Sequence, residues 1–292
     1  MNNLKYLTAL TLVFGVAACG DDSESSATTR TLRYQFSQLP ELGSSAVYEG
    51  WLIVPDAPEP VSTGRFTVDG NGQTQPSSFE LDAGPADAAT TFVLTIEPAQ
   101  GDVPAPADTH ILAGDLTSGA ATLTTMHAAA LGTDFGSAAG ELILATPTTA
   151  MDDDETLGIW FLSPTMPPAA ALSLPPLPAG WVYEGWVVGE GPVSTGTFTD
   201  PAAPDSDGAG SGAGPMNAPP FPGQDFINPA RDLASGHSAV ISVEPSPDDS
   251  PAPFLIKPLS TMLTGETAPT TQTLTNISAG TLPGGTLTIS EE

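Results

Sequence analysis

The sequence predicts an all-β protein: two tandem immunoglobulin-like β-sandwich modules, preceded by a signal peptide and a flexible tether. Three observations carry this. A pair of motifs occurs twice. Val47-Tyr48-Glu49-Gly50-Trp51 and Pro60-Val61-Ser62-Thr63-Gly64-Arg65-Phe66-Thr67 return as Val182-Tyr183-Glu184-Gly185-Trp186 and Pro192-Val193-Ser194-Thr195-Gly196-Thr197-Phe198-Thr199. With 31 prolines, 30 glycines and six Lys or Arg residues, long helices are disfavoured. Hydrophobic residues still make up 40%, in short runs broken by Pro, Gly, Asp and Ser. The expected organisation is a signal peptide (1–18), a tether (19–30), a first module (31–164), a Pro-rich linker (165–170) and a second module (171–292). Each module has about 130 residues, enough for its own core.

In module one, Leu32, Tyr34 and Phe36 alternate along a first strand. Residues 47–54 form the clearest strand, and apolar content on both faces makes it an inner one. A turn at 55–58 leads to a strand over 61–68, closed by Asp69-Gly70-Asn71-Gly72. A short strand over 79–81 and a longer one over 92–97, ended by Pro98, come next. Another begins at 109–113, and 120–131 suggests a short helix. Residues 141–145 and 157–161 are two further strands, joined through Asp152-Asp153-Asp154-Glu155. The stretch 164–178 reads as a stiff connector. In module two, strands over 181–188 and 193–199 precede residues 200–229, whose Gly, Ala, Pro, Asp and Asn content predicts a mobile loop. Residues 239–245 match 92–98. An apolar strand over 254–256 follows, and 286–289 pairs into the sheet at the end of the chain.

The N-terminus predicts export. Residues 7–18 are apolar, but a membrane-crossing helix needs about 20 residues, so they fit a secretory signal. Val16-Ala17-Ala18-Cys19-Gly20 resembles the lipobox of bacterial lipoproteins, in which cleavage precedes a cysteine that carries diacylglycerol. Cys19 is the only cysteine of the chain and the expected lipidation site. Each buried methylene of a lipid adds about 0.8 kcal/mol of membrane affinity. Residues 20–29 are polar and acidic, which suits a tether. Gly20 after the cysteine favours the outer membrane or cell surface over the inner membrane. An ordinary signal peptide with an incidental cysteine is the alternative.

The Tyr-x-x-Trp strand, the Pro-Val-Ser-x-Gly-x-Phe segment, and an apolar strand ending in Glu-Pro before a Pro-rich loop occur in this order twice. The matches are Tyr48, Trp51, Pro60 to Phe66 and Ile96-Glu97-Pro98, then Tyr183, Trp186, Pro192 to Phe198 and Val243-Glu244-Pro245. This resembles the C-terminal extracytoplasmic domain of anti-sigma-K factors. The resemblance implies an envelope-facing β domain that senses or binds something. Members of that family hold the sigma factor with a cytoplasmic N-terminal domain followed by a transmembrane helix. Neither is recognisable here, so sigma-factor binding is not expected. Tyr48, Trp51, Tyr183 and Trp186 are expected as core aromatics, Gly64 and Gly196 as turn, bulge or close-packing positions, and Glu97 and Glu244 as strand-end residues.

No nucleophile elbow, P-loop or dinucleotide fingerprint occurs. His110, His127 and His237 lack metal-ligand spacing. The runs at 152–155 and 205–208 offer oxygens without the twelve-residue calcium-loop pattern, and read as solvated acidic loops. No catalytic residue, metal site or cofactor is therefore expected. The expected role is non-enzymatic: binding or sensing of an envelope protein or glycan, with membrane contact through the lipid on Cys19. A structural surface lipoprotein, an accessory to an anti-sigma pathway, and a carboxylate-based envelope hydrolase remain as alternatives.

Thirty-four acidic against six basic residues give a formal net charge of −28. No basic patch is available for nucleic acid or anionic lipid headgroups. Such one-sided charge keeps a protein soluble and destabilises it by self-repulsion. Salt shortens the reach of that repulsion, from about 10 Å at 0.1 M to about 3 Å at 1 M. A saline source is the expectation. Unfolding midpoints should rise from low to molar NaCl, and a flat profile would contradict this.

Overall fold

The computed structural model describes residues 28–151, 153–247 and 250–291. The expected signal peptide, Cys19 and most of the expected tether lie outside the described residues. The first half contains β1 (Thr29–Ser37), β2 (Ala46–Ile53), β3 (Val61–Val68), β4 (Thr74–Gln75), β5 (Ser78–Asp82), α1 (Ala83–Ala88), β6 (Thr91–Pro98), β7 (His110–Asp115), β8 (Ala120–Thr124), β9 (Ala139–Leu144), β10 (Gly158–Trp160) and β11 (Leu162–Ser163). The second contains β12 (Ala169–Ala170), β13 (Leu172–Ser173), β14 (Trp181–Val188), β15 (Pro192–Phe198), β16 (Gly223–Asp225), β17 (Ser238–Pro245), β18 (Leu259–Met262), β19 (Gln272–Asn276) and β20 (Gly284–Ser290). The protein is nearly all-β, as the turn-rich sequence predicts.

Two large antiparallel sheets form. Sheet one runs β4-β3-β2-β6-β7-β8-β20-β1-β5; sheet two runs β15-β14-β17-β18-β19-β9-β10-β16, with β13 also on β9. Apart from β4 and β13, the two orders superpose strand for strand. The equivalences are β3 with β15, β2 with β14, β6 with β17, β7 with β18, β8 with β19, β20 with β9, β1 with β10 and β5 with β16. In each sheet the outer strands approach one another, β3 against β5 and β15 against β16, so the sheet curls into a barrel-like arrangement.

The equivalence shows a reciprocal exchange. β20, from the end of the chain, lies between β8 and β1, with Leu287 opposite both Tyr34 and Ala121. β9, from the first half, lies between β19 and β10, with Leu142 opposite Gln272 and Ile143 opposite Trp160. β9 and β10, from the first half, therefore build sheet two, and β20 builds sheet one; β11 pairs separately with β12. This differs from the plain series expected, in which 31–164 and 171–292 each assemble their own sheet. Alternating apolar residues mark a segment as a strand but do not name its partner.

A single buried cluster spans both halves, from Leu32, Tyr48 and Phe92 through Phe135 to Tyr183, Phe198 and Ile241. Phe135 meets Tyr183 edge-on at 6.4 Å, and Asn276 Nδ2 donates to the Phe135 and Ala138 carbonyls. Trp51 belongs to a smaller cluster with Val93, Ala113 and Ala130. This separation follows from the alternation of strand residues, and it confirms β2 as an inner strand buried on both faces.

Three segments depart from expectation. Residues 120–124 are a strand rather than the start of a helix, because Ala121 and Leu123 alternate inward with period two; among the described residues the α-helix is Ala83–Ala88. After β17 the next strand is Leu259–Met262 rather than 254–256. Residues 200–229 are an anchored excursion rather than a free loop. They contribute β16 to sheet two, and Ala209 and Phe221 cover Trp160. Asp225, wholly buried, accepts from Trp160 Nε1 (2.7 Å), the Thr148 amide (3.0 Å) and the Thr148 hydroxyl.

One polar pair separates the copies. Tyr34 Oη and Thr63 Oγ1 are hydrogen-bonded at 2.7 Å inside the first sheet. The matching residues are Phe161 and Thr195: both pairs crowd the glycine of the Tyr-Glu-Gly-Trp motif, Gly50 or Gly185, where a Cβ would collide. Phe161 has no hydroxyl, and Thr195 Oγ1 is buried without a partner. Tyr34→Phe should cost about 1–3 kcal/mol by stranding Thr63, and Phe161→Tyr should stabilise by about 1 kcal/mol. Denaturant unfolding of both variants checks this; shifts of the same sign would contradict it.

Candidate functional site

The repeated motifs build the same frame twice. Tyr48 Oη donates to the Pro40 carbonyl at 2.8 Å, and Tyr183 Oη donates to the Pro175 carbonyl, eight residues upstream in each case. Trp51 Nε1 donates to Thr95 Oγ1 (2.9 Å), which donates to Glu97 Oε1. In the second copy Trp186 Nε1 donates to Ser242 Oγ (2.8 Å), which donates to Glu244 Oε1. Each carboxylate also accepts a backbone N–H ten residues downstream: Ala107 at 2.9 Å on Glu97, and Phe254 at 2.8 Å on Glu244. A chain of indole, hydroxyl and carboxylate therefore grips the Pro-rich loop that follows each Glu-Pro. This gives the strand-end glutamates a definite structural task. Burial raises the Glu97 pKa above the ordinary carboxylate range, against the Thr95 and Ala107 bonds, which lower it.

A second repeated contact joins Glu49 to the Ser62 hydroxyl and Glu184 to the Ser194 hydroxyl. The Ser62 and Ser194 hydroxyls accept the amides of Gly64 (3.1 Å) and Gly196 (3.0 Å). Both glycines have positive φ, +109° and +103°, beside a register shift between strands. Of the turn, bulge and close-packing roles expected from the sequence, they take the bulge. Arg65 adds a contact peculiar to the first copy. It donates to the Pro98 carbonyl and lies 3.6 Å from Glu49 and 3.7 Å from Asp102. Thr197 holds the matching position in the second copy.

The two gripped loops meet. They line one cleft of about 780 Å³, with Glu97, Pro98 and Ala107 to Thr109 from the first copy and Pro245 to Pro247 and Phe254 from the second. The segment Glu41 to Ala46 closes a third side. The copies touch closely at its base: a Cβ on Gly180, whose φ is +83°, would lie 2.6 Å from the Asp108 carbonyl oxygen. Among the described residues the wall holds Glu41, Glu97 and Asp108 and no basic side chain. It offers acceptors, proline and alanine surface, and one aromatic ring. Such a wall suits a neutral or cationic ligand and repels anions.

His110 and His127 both contact the Ala129 backbone, and His237 bonds elsewhere. His110 Nδ1 contacts the Ala129 carbonyl, His127 Nε2 sits 3.3 Å from Asp115, and His237 Nδ1 contacts the Ser235 carbonyl. Of the first acidic run, Asp152 lies outside the described residues. Asp154 and Glu155 brace the turn before β10. Asp154 accepts from the Thr146 and Thr149 hydroxyls (2.6 and 2.9 Å), and Glu155 from the Thr146 amide (2.9 Å). Asp225 and the Thr95–Glu97 and Ser242–Glu244 chains have no local sequence signal. Only alignment of the two copies would have pointed to the latter.

With this frame in place, the comparison with known proteins has a structural meaning. Residues 22–111 match the family described as Anti-sigma-K factor rskA, C-terminal. The matched span carries β1 to β6, so Tyr48, Trp51 and Glu97 fall inside it, as the resemblance requires. It covers about a third of the chain. No curated protein and no solved structure matches the chain. Among the described residues no helix is long and apolar enough to cross a membrane.

Proposed function

We propose that this chain is a lipid-anchored cell-envelope protein that binds a ligand in the cleft between its two copies, in a non-enzymatic binding or sensing role. One observation carries the reading: two equivalent loops, each held by its own Glu-Pro carboxylate, form a single cleft. A volume of about 300–1,000 Å³ is usual for ligand sites. Residues held so firmly on both sides favour recognition over scaffolding. The wall chemistry favours a neutral or cationic segment of an envelope protein or glycan. The anti-sigma-K match supports an extracytoplasmic setting. Sigma-factor binding is not part of the proposal, because in that family it belongs to a different domain. The lipobox at Cys19 supports attachment to the envelope, at the outer membrane or cell surface.

Photo-crosslinking in cells tests the reading. A crosslinking side chain at Ser45, on the cleft, should capture a partner that the same group at Thr122 does not. Ala107→Trp, which fills the cleft, should abolish that capture. Identical bulk envelope proteins at both positions would favour a structural coat instead.

A further inference from the structure

We propose that the cleft takes a lysine side chain from an extended segment of an envelope protein, its ammonium held by Glu97 and the Ala107 carbonyl. This rests on the ligand-binding reading of the cleft and names the group that the ligand presents. The second copy holds such an ammonium internally. Lys257 Nζ donates to the Phe254 carbonyl at 2.6 Å, on the loop that Glu244 grips. Burial lowers the Lys257 pKa, and the nearby Glu244 charge opposes that shift. The second Glu-Pro carboxylate therefore has a lysine of its own chain beside it.

The first copy keeps the carboxylate and the loop but not the lysine. The Ile96 amide bonds the Thr109 carbonyl, and the Val243 amide bonds the Ile256 carbonyl. That register puts His110 where the second copy has Lys257, and Ala107 where it has Phe254. His110 turns its Nδ1 to the Ala129 carbonyl, 2.9 Å away. Glu97 is 1% exposed, and its Oε2 is buried without a hydrogen-bond partner. No ion pair among the described residues reaches it. The charges that act on it, Asp102 and Glu49, are both acidic, and Arg65 lies against those two instead. A buried carboxylate oxygen without a donor is costly, and an incoming N–H donor relieves that cost.

The walls suit a lysine in particular. Glu97 and Ala107 line the cleft together with Glu41 and Asp108. The last two are exposed, so they meet a cation arriving from solvent. Pro98, Pro247 and Phe254 offer apolar surface to a methylene stem. A compact ammonium with three donors matches the group that the second copy uses, whereas a guanidinium is broad and planar. An ammonium on a long thin stem reaches a carboxylate as buried as Glu97. One fixed directly to a sugar ring does not, which favours a protein segment over a glycan.

The test is an NMR titration of the nitrogen-15-labelled full-length protein in detergent, at pH 8 and fixed ionic strength. The probe is N-acetyl-lysine methylamide. N-acetyl-norleucine methylamide keeps the stem without the ammonium, and glucosamine keeps the ammonium without the stem. The Ala107 amide, bonded to Glu97, is the reporter. The lysine probe should shift it with a Kd of about 1 mM, and both controls should bind about tenfold more weakly. Glu97→Gln keeps an acceptor for Thr95 and Ala107 and should weaken the lysine probe about tenfold. If that variant misfolds, Asp108→Asn, at an exposed residue, should weaken it about threefold, while Asp115→Asn, outside the cleft, should not. Equal shifts from either control, unchanged affinity in Glu97→Gln and Asp108→Asn, or no shift at Ala107 would overturn the lysine assignment. The in-cell crosslink separates this from the broader reading. A specific partner captured from Ser45 equally well in Glu97→Gln would leave the cleft standing and remove the lysine; no specific capture would remove both.

Discussion

The exchange of β9 and β20 is the constraint on which the rest of the molecule depends. Neither sheet closes without a strand from the other half. Leu287 is almost wholly buried in the first sheet, and Leu142 and Leu144 in the second. Burying one such leucine contributes about 1.5–3 kcal/mol, and each swapped strand also completes two antiparallel ladders. The halves are thus bound into one core.

The repeated motifs and matching strand orders allow structure to be separated from use. Where both copies keep a contact, it belongs to the frame: the Tyr-to-carbonyl bonds, the indole–hydroxyl–carboxylate chains and the glycine bulges. Where they differ, something other than the frame is at work. Tyr34 with Thr63 becomes Phe161 with Thr195, Arg65 becomes Thr197, and His110 becomes Lys257. The frame explains why the motif that occurs twice in this chain includes a tryptophan and a glutamate far apart in sequence. Their side chains are the two ends of one hydrogen-bonded chain.

Much of this was legible in the sequence. The repeat announced two copies, Pro and Gly announced strands and turns, and the alternation of Leu32, Tyr34 and Phe36 placed β1. The strand partners were not legible. Thr286-Leu287-Thr288-Ile289 alternates as any strand does, and nothing local distinguishes a partner within its own half from one in the other. Residues 200–229 misled for a related reason. Their acidic residues suggest solvation, yet Asp225 is buried because Trp160 and Thr148, both distant in sequence, supply its donors. The cleft was hidden as well, since its walls are loops far apart in sequence.

The exchange itself is most directly tested by hydrogen–deuterium exchange on a chain ending at residue 283. Removing β20 should strip protection from β1 and β8, more than 150 residues away in sequence, while β14 and β17 stay protected. If protection were lost only in the neighbouring β18 and β19, and β1 kept its own, the two halves would be independent and the account would fail.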